Sequence, residues 1–171
     1  LTRVKKCTTI MGRKEEDDLS ASQILYPCMQ CADIFHLGVD ICSLGLDQRK
    51  VNMLAIEYCD KIKRKLKPII LSHPMLMGLD GSDKMSKSNP DSAIFMDDLE
   101  HEVKKKINKA FCPPEVIDNN PIIEYFDKIV FELEESIVIS TKTDGDIVLN
   151  NINEFKNNYK SGKLHPADVK P

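Results

Sequence analysis

The chain has 171 residues, with 24 Lys and Arg against 27 Asp and Glu and a formal net charge of −3. That length suits one domain, or a core domain with an appendage. A composition of 42% hydrophobic and 30% charged residues excludes a disordered chain and fits a soluble globular one. No apolar run approaches the roughly 18–20 residues that cross a bilayer, so no membrane partner and a cytoplasmic location are expected. Cys7, Cys28, Cys31, Cys42, Cys59 and Cys112 are too sparse for a disulfide scaffold. Several lie in apolar runs, so they read as reduced, buried thiols. Residues 1–96 carry a net charge of +2 and residues 97–171 a net of −5, so neither half is a strongly basic nucleic-acid footprint.

Along the chain, Leu1 onward reads as the middle of something, and Arg13 to Asp18 as a solvated mixed-charge segment. Ser20-Ala21-Ser22-Gln23 has the form of a capping box, which predicts a helix to about Leu37, stopped at Gly38 and kinked or restarted at Pro27. Val39–Leu44 reads as a strand closed by Gly45. Gln48–Tyr58 reads as a helix with Val51, Leu54, Ala55 and Tyr58 on one face, and Pro68–Leu71 as a buried parallel strand. Met75–Asn89 is a long loop rich in Gly, Ser and Asp. Asp97-Asp98 opens a helix ending in Lys104, Lys105, Lys106 and Lys109. Asn120-Pro121 caps another helix, with Ile122, Phe126, Ile129, Val130 and Leu133 as its apolar stripe. Asp144-Gly145 suggests a turn of the hairpin type, and Ile152–Ser161 a last helix ended by Gly162.

Three motifs carry chemistry. Lys84-Met85-Ser86-Lys87-Ser88 puts two lysines and two hydroxyls on a flexible loop, where they can neutralise a triphosphate as pyrophosphate leaves. Its plain alternative is a solvated Lys/Ser loop. Tyr26, Gln30 and Asp33 share one helix face among apolar neighbours, which suggests a small polar pocket with a buried carboxylate needing a partner. Its alternative is an ordinary solvated face. Gly45-Leu46-Asp47-Gln48 follows a strand and opens a helix, at the carboxyl strand end where α/β sheets bind ligands. Asp47 there fits either ribose hydroxyls or a simple N-cap. Cys28-x-x-Cys31 reads as structural thiols rather than a metal site, His36-Leu37-Gly38 as a helix end, and Lys104, Lys105, Lys106 and Lys109 as a solvated face with RNA contact as the alternative.

Taken together, Tyr26-Pro27-x-x-Gln30-x-x-Asp33, Leu44 to Lys50 and Lys84 to Ser88 resemble the tyrosyl-tRNA synthetases, class I aminoacyl-tRNA synthetases. Tyr159 to Lys170 resembles their eukaryotic and archaeal type. The resemblance implies that Tyr26 and Gln30 bind the tyrosine amino group, Asp33 its phenolic hydroxyl, and Gln48 completes the pocket. Gly45 and Asp47 then hold the ATP ribose, and Lys84, Met85, Ser86, Lys87 and Ser88 the phosphates, with Lys84 and Lys87 catalytic. It also implies ATP with Mg2+ as substrate, no structural metal, tRNA(Tyr) as partner and a homodimer. Selection of tyrosine over phenylalanine is expected from a buried Asp33 left unpaired without the hydroxyl.

The fold expected from the resemblance is α/β. Residues 1–96 are the C-terminal half of a Rossmann-like catalytic domain, and 97–171 the start of an all-α anticodon-binding domain. Leu44 stands where the family often has a first glycine. The first nucleotide-binding strand and the His-x-Gly-His-type motif are not found, so the chain reads as an internal fragment expected to be inactive alone. The rivals are a tryptophanyl-tRNA synthetase, disfavoured by Gln30 and Asp47-Gln48-Arg49-Lys50, and a non-catalytic RNA-binding or signalling fragment of a synthetase.

Overall fold

The structure, a computed structural model, describes residues 2–14, 16–142 and 145–170. The chain forms two compact units, Leu1–Met75 and Leu76–Pro171. This division lies before the charge boundary near residue 97, because the loop residue Leu79 is buried in the same core as Ala110, Ile122 and Phe155.

The first unit opens with α1 (Thr2–Cys7) and a 3-10 turn (Thr8–Met11). Cys7, Thr8 and Ile10 are buried there, a contribution that the charged run at 13–18 does not announce; its described residues are exposed. α2 (Ala21–His36) starts at the expected capping box, with Ser20 accepting from the Gln23 backbone and the Gln23 side chain accepting from the Ser20 N–H at 3.0 Å. It runs past Pro27 as one helix without a restart, and Pro27 is itself buried.

β1 (Ile41–Gly45), a 3-10 turn (Leu46–Gln48), α3 (Arg49–Lys61) and β2 (Ile69–His73) form a βαβ unit. Its strands pair in parallel from Ile41↔Ile69 to Gly45↔His73. β2 is not buried as expected: Ile69 and Leu71 are exposed and only Ile70 packs on the core, because the two-stranded sheet is covered on one face. On α3, Val51 and Ala55 are buried as read, but Tyr58 is half exposed and Asn52 and Cys59 take the interior positions. Five of the six cysteines are buried and Cys28 is exposed.

The second unit begins with the loop and continues through α4 (Glu100–Lys109) and α5 (Pro121–Tyr125). A π-helical turn (Phe126–Val130) leads into α6 (Phe131–Leu133). Asn120 caps α5 as expected, its Oδ1 accepting from the N–H groups of Ile122 and Ile123 at 3.1 and 3.4 Å. The apolar stripe read for this segment fails at its far end. The π turn adds a residue to the repeat, so Phe131 packs on the core while Ile129 and Leu133 face solvent; Ile123 and Tyr125, ahead of the turn, are buried as well.

The expected all-α character of 97–171 is corrected as well, since β3 (Ile137–Thr141) and β4 (Gly145–Leu149) form an antiparallel hairpin. Its β-branched residues alternate at strand period, with Ile139 inside and Val138 outside. The turn residue Asp144 lies outside the described residues.

α7 (Ile152–Lys160) closes the unit as predicted and places Phe155 and Tyr159 at the centre of the core. The ring of Phe155 stacks on Phe126 at 4.2 Å between centroids. The Tyr159 hydroxyl donates to the Pro113 carbonyl at 2.9 Å and lies 3.1 Å from the Cys112 thiol; burial pushes this phenol up. Lys170 then reaches back to the carbonyls of Asn108 and Ala110 at 3.2 and 3.0 Å, satisfying the C-terminal end of α4.

Candidate active site

In the first unit the structure joins two of the expected residues directly. The Gln30 Nε2 on α2 donates to the Gln48 Oε1 at 3.0 Å, and the Gln48 Nε2 donates to the Ile10 carbonyl at 3.4 Å. The start of α3 is thereby tied both to α2 and to the N-terminal 3-10 turn, an anchor that the sequence did not signal. Tyr26 and Asp33 lie on the same face of α2 as Gln30, at helical spacing. Tyr26 is 50% exposed, and Asp33 is exposed rather than buried as expected. That side of α2 is not covered within this unit: Leu25 and Met29 beside them are exposed too.

Gly45 ends β1 at the carboxyl edge of the parallel pair, where the sequence put a ligand-binding turn. It is buried, and a Cβ there would stand 2.5 Å from the Met75 sulfur and 2.7 Å from the Asp47 Oδ1. Only glycine fits while Asp47 folds back over the strand end. Asp47 lies inside the 3-10 turn, so it is not the N-cap of α3; that position is Gln48. Leu44 packs partly against the unit's core.

In the second unit Lys84, Ser86, Lys87 and Ser88 are exposed, while Met85 packs partly on the core. The segment is a built turn rather than a loose strap. The Ser88 N–H donates to the Ser86 Oγ at 3.2 Å, the Asn89 N–H to the Ser86 carbonyl at 3.1 Å, and the Ser86 N–H to the Ser92 Oγ at 3.4 Å. Its stem is fixed at Leu79, whose N–H donates to the Ser92 carbonyl at 2.9 Å and whose carbonyl accepts from the Phe111 N–H at 2.6 Å. Two residues earlier, Met77 gives its N–H to Glu124 at 2.7 Å and accepts from the Tyr125 hydroxyl at 2.8 Å.

The lysine group after the loop is partly miscast as a solvated face. Lys104 pairs with Glu100 in the open, but Lys106 is nearly covered. It sits 2.6 Å from the Asp98 Oδ2 and 4.8 Å from the Phe95 ring centroid, and it holds the Asp98 carboxyl below the usual carboxylate range. The signal that could have found this pair is the i, i+8 spacing of Asp98 and Lys106 across the helix start, which is too weak alone. Cys31 is buried, and that burial pushes its thiol up to about 11, in keeping with a structural role.

A family model described as tRNA synthetases class I (W and Y) matches residues 1–171. The cytoplasmic tyrosine–tRNA ligase 1 of Arabidopsis thaliana is 56% identical over 99% of this chain, which covers 45% of that protein. The solved structure of a tyrosyl-tRNA synthetase complexed with L-tyrosine from Pyrococcus horikoshii is similar with a TM-score of 0.83 at 36% identity, over 99% of this chain and 53% of that one. A tryptophanyl-tRNA synthetase structure from Aeropyrum pernix has a TM-score of 0.62 at 18% identity, over 98% of this chain and 45% of that one, a likeness of fold alone. The chain thus spans about half the length of these relatives.

Proposed function

The chain belongs to the class I tRNA synthetases (W and Y), and from that premise we propose that it supplies part of a tyrosine–tRNA ligase. The reaction is attack of the tyrosine carboxylate on the α-phosphorus of ATP, giving tyrosyl-adenylate and pyrophosphate, followed by transfer of the tyrosyl group to tRNA(Tyr) with release of AMP. The observation that carries the reading is the likeness to a tyrosine–tRNA ligase over 99% of this chain.

In this reading the βαβ unit is the C-terminal half of a Rossmann-like catalytic domain, and the helices that follow begin an anticodon-binding domain. Gln30 and Gln48, already bonded to each other, brace the tyrosine pocket. Tyr26 and Gln30 take the amino group. Asp33 accepts from the phenolic hydroxyl, a bond that phenylalanine cannot make and that accounts for discrimination. Asp47, folded over Gly45, accepts from the ribose hydroxyls. Lys84 and Lys87, with the Ser86 and Ser88 hydroxyls, meet the β- and γ-phosphates of magnesium–ATP, where positive charge stabilises the departing pyrophosphate more than the ground state. Tyrosine, ATP and tRNA(Tyr) are the partners, a homodimer is the assembly, and the cytoplasm is the location.

The test is tyrosine-dependent ATP–pyrophosphate exchange by a full-length ligase containing this chain. Lys87→Ala is expected to lower kcat by about 100-fold, the size of losing one preorganised charge donor. Asp33→Ala is expected to lower kcat/KM for tyrosine by at least about 100-fold while that for phenylalanine changes little. Full activity in both variants, or exchange driven by tryptophan in place of tyrosine, would overturn the reading.

A further inference from the structure

The Lys84–Ser88 loop is closed on itself by one carboxylate. Asp80 Oδ1 accepts from the Ser82 hydroxyl at 2.5 Å and the Ser82 N–H at 3.1 Å, and its Oδ2 accepts from the Asn89 Nδ2 at 3.0 Å. Ser82 precedes the two lysines and Asn89 follows them, so a single side chain spans the base of the loop. The Ser82 hydroxyl also faces the Lys84 carbonyl at 3.2 Å, which extends the staple to the first lysine itself. Gly78 makes room for it: a Cβ there would overlap the Ser82 Oγ and stand 2.6 Å from the Asp80 Oδ1. Below this base the peptide of Leu79 is locked between Ser92 and Phe111.

We propose that Asp80 is a positioning residue that staples the two ends of the Lys84–Ser88 loop, so that the lysines are presented from a pre-formed turn. A loop held at its base has fewer conformations to lose when it closes on a ligand, so ordering that would otherwise weaken binding has already been met in folding. Asp80 touches no ligand in this scheme and acts through Ser82 and Asn89. Its catalytic consequence rests on the phosphate role proposed above for the loop; the staple itself does not.

Two measurements separate these. In the 171-residue chain, hydrogen exchange at the Ser82 backbone amide is expected to rise about tenfold in Asp80→Ala, the scale of losing a hydrogen bond to a charged acceptor, and the Asn89 backbone amide, which donates to the Ser86 carbonyl inside the stapled turn, should rise with it. Exchange in α7 should stay unchanged. The reciprocal double variant Asp80→Asn with Asn89→Asp restores an amide–carboxylate bond with its direction reversed, and should recover most of the protection. Unchanged exchange in Asp80→Ala, or no recovery in the double variant, overturns the staple. In the full-length ligase, Asp80→Ala should raise the KM for ATP about fivefold to tenfold with the KM for tyrosine unmoved, again recovered by the double variant. Loosening of the loop with an unmoved ATP KM would leave the staple standing and overturn the phosphate role of the loop.

Discussion

In the first unit the buried apolar side chains are aliphatic or thiol-bearing, Ile10, Ile34, Val51 and Ala55 with Cys7, Cys31, Cys42 and Cys59, and no aromatic ring is among the buried described residues. The second unit buries Tyr125, Phe155 and Tyr159 and surrounds them with Phe126 and Phe131. The first also leaves Leu25, Met29 and Leu37 of α2 and Ile41, Ile69 and Leu71 of the sheet facing solvent. The comparison teaches that the candidate residues of each unit stand on unequal footings. Gln30, Gln48 and Asp47 are carried by a thin core, whereas the lysine loop grows out of a thick aromatic one.

The sharpest way to break this contrast is to hollow each core in turn. Phe155→Ala is expected to destabilise the second unit by about 3–5 kcal/mol, whereas Ile34→Ala in the first should cost about 2 kcal/mol, since open neighbours let the site collapse. Chemical denaturation followed by exchange at amides of each unit measures both; equal losses would erase the distinction. Next in size is Tyr159→Phe, which leaves the Pro113 carbonyl without its donor at 2.9 Å and is expected to cost about 1–3 kcal/mol in the second unit only.

Alkaline titration sharpens the contrast further. The Cys31 thiol is raised from 9.0 to about 11 by burial, then by its neighbouring thiols, and the Tyr125 phenol from 10.0 to about 12 by burial, then by Glu124 and Asp80. Each contributes stability that is full below its ordinary value and lost as pH rises through the raised one, because the unfolded chain ionises first. The first unit should therefore begin to weaken near pH 9 and the second near pH 10, read from denaturation midpoints across that range. A Cys31→Ala variant should flatten the first response. The smallest effect expected is that of Lys104→Ala, which breaks an exposed i, i+4 pair with Glu100 worth at most about 0.5 kcal/mol. A larger loss in thermal unfolding would show that the outer face of α4 matters more than its exposure implies.

Much of this architecture was legible because the signals are local. The capping box at Ser20, the Asn120-Pro121 cap and the Gly162 stop lie within one turn of the residues they govern, and helices α2, α5 and α7 begin or end there. The Gln30–Gln48 contact, by contrast, joins residues 18 apart on different elements, and no local signal announces it. What stayed hidden depends on distance or on rare geometry. The π turn at Phe126–Val130 shifts an otherwise regular stripe, and no residue type demands it. The exposure of Asp33 depends on what lies over α2, which a helical wheel cannot report. Lys106 looks like its exposed neighbours until Asp98 and Phe95 close around it.

The peptide of Met77 has a consequence for heat. Its N–H and carbonyl are both held by adjacent residues of α5, Glu124 and Tyr125, on one helical turn. Two bonds to one turn are released together or not at all, so the stem of the lysine loop has no partial melting of its own at that point. Its detachment temperature is that of the aromatic core behind α5. On warming, Lys84 and Lys87 should keep their foothold until the second unit unfolds as a whole, even after α2 in the first unit has begun to breathe.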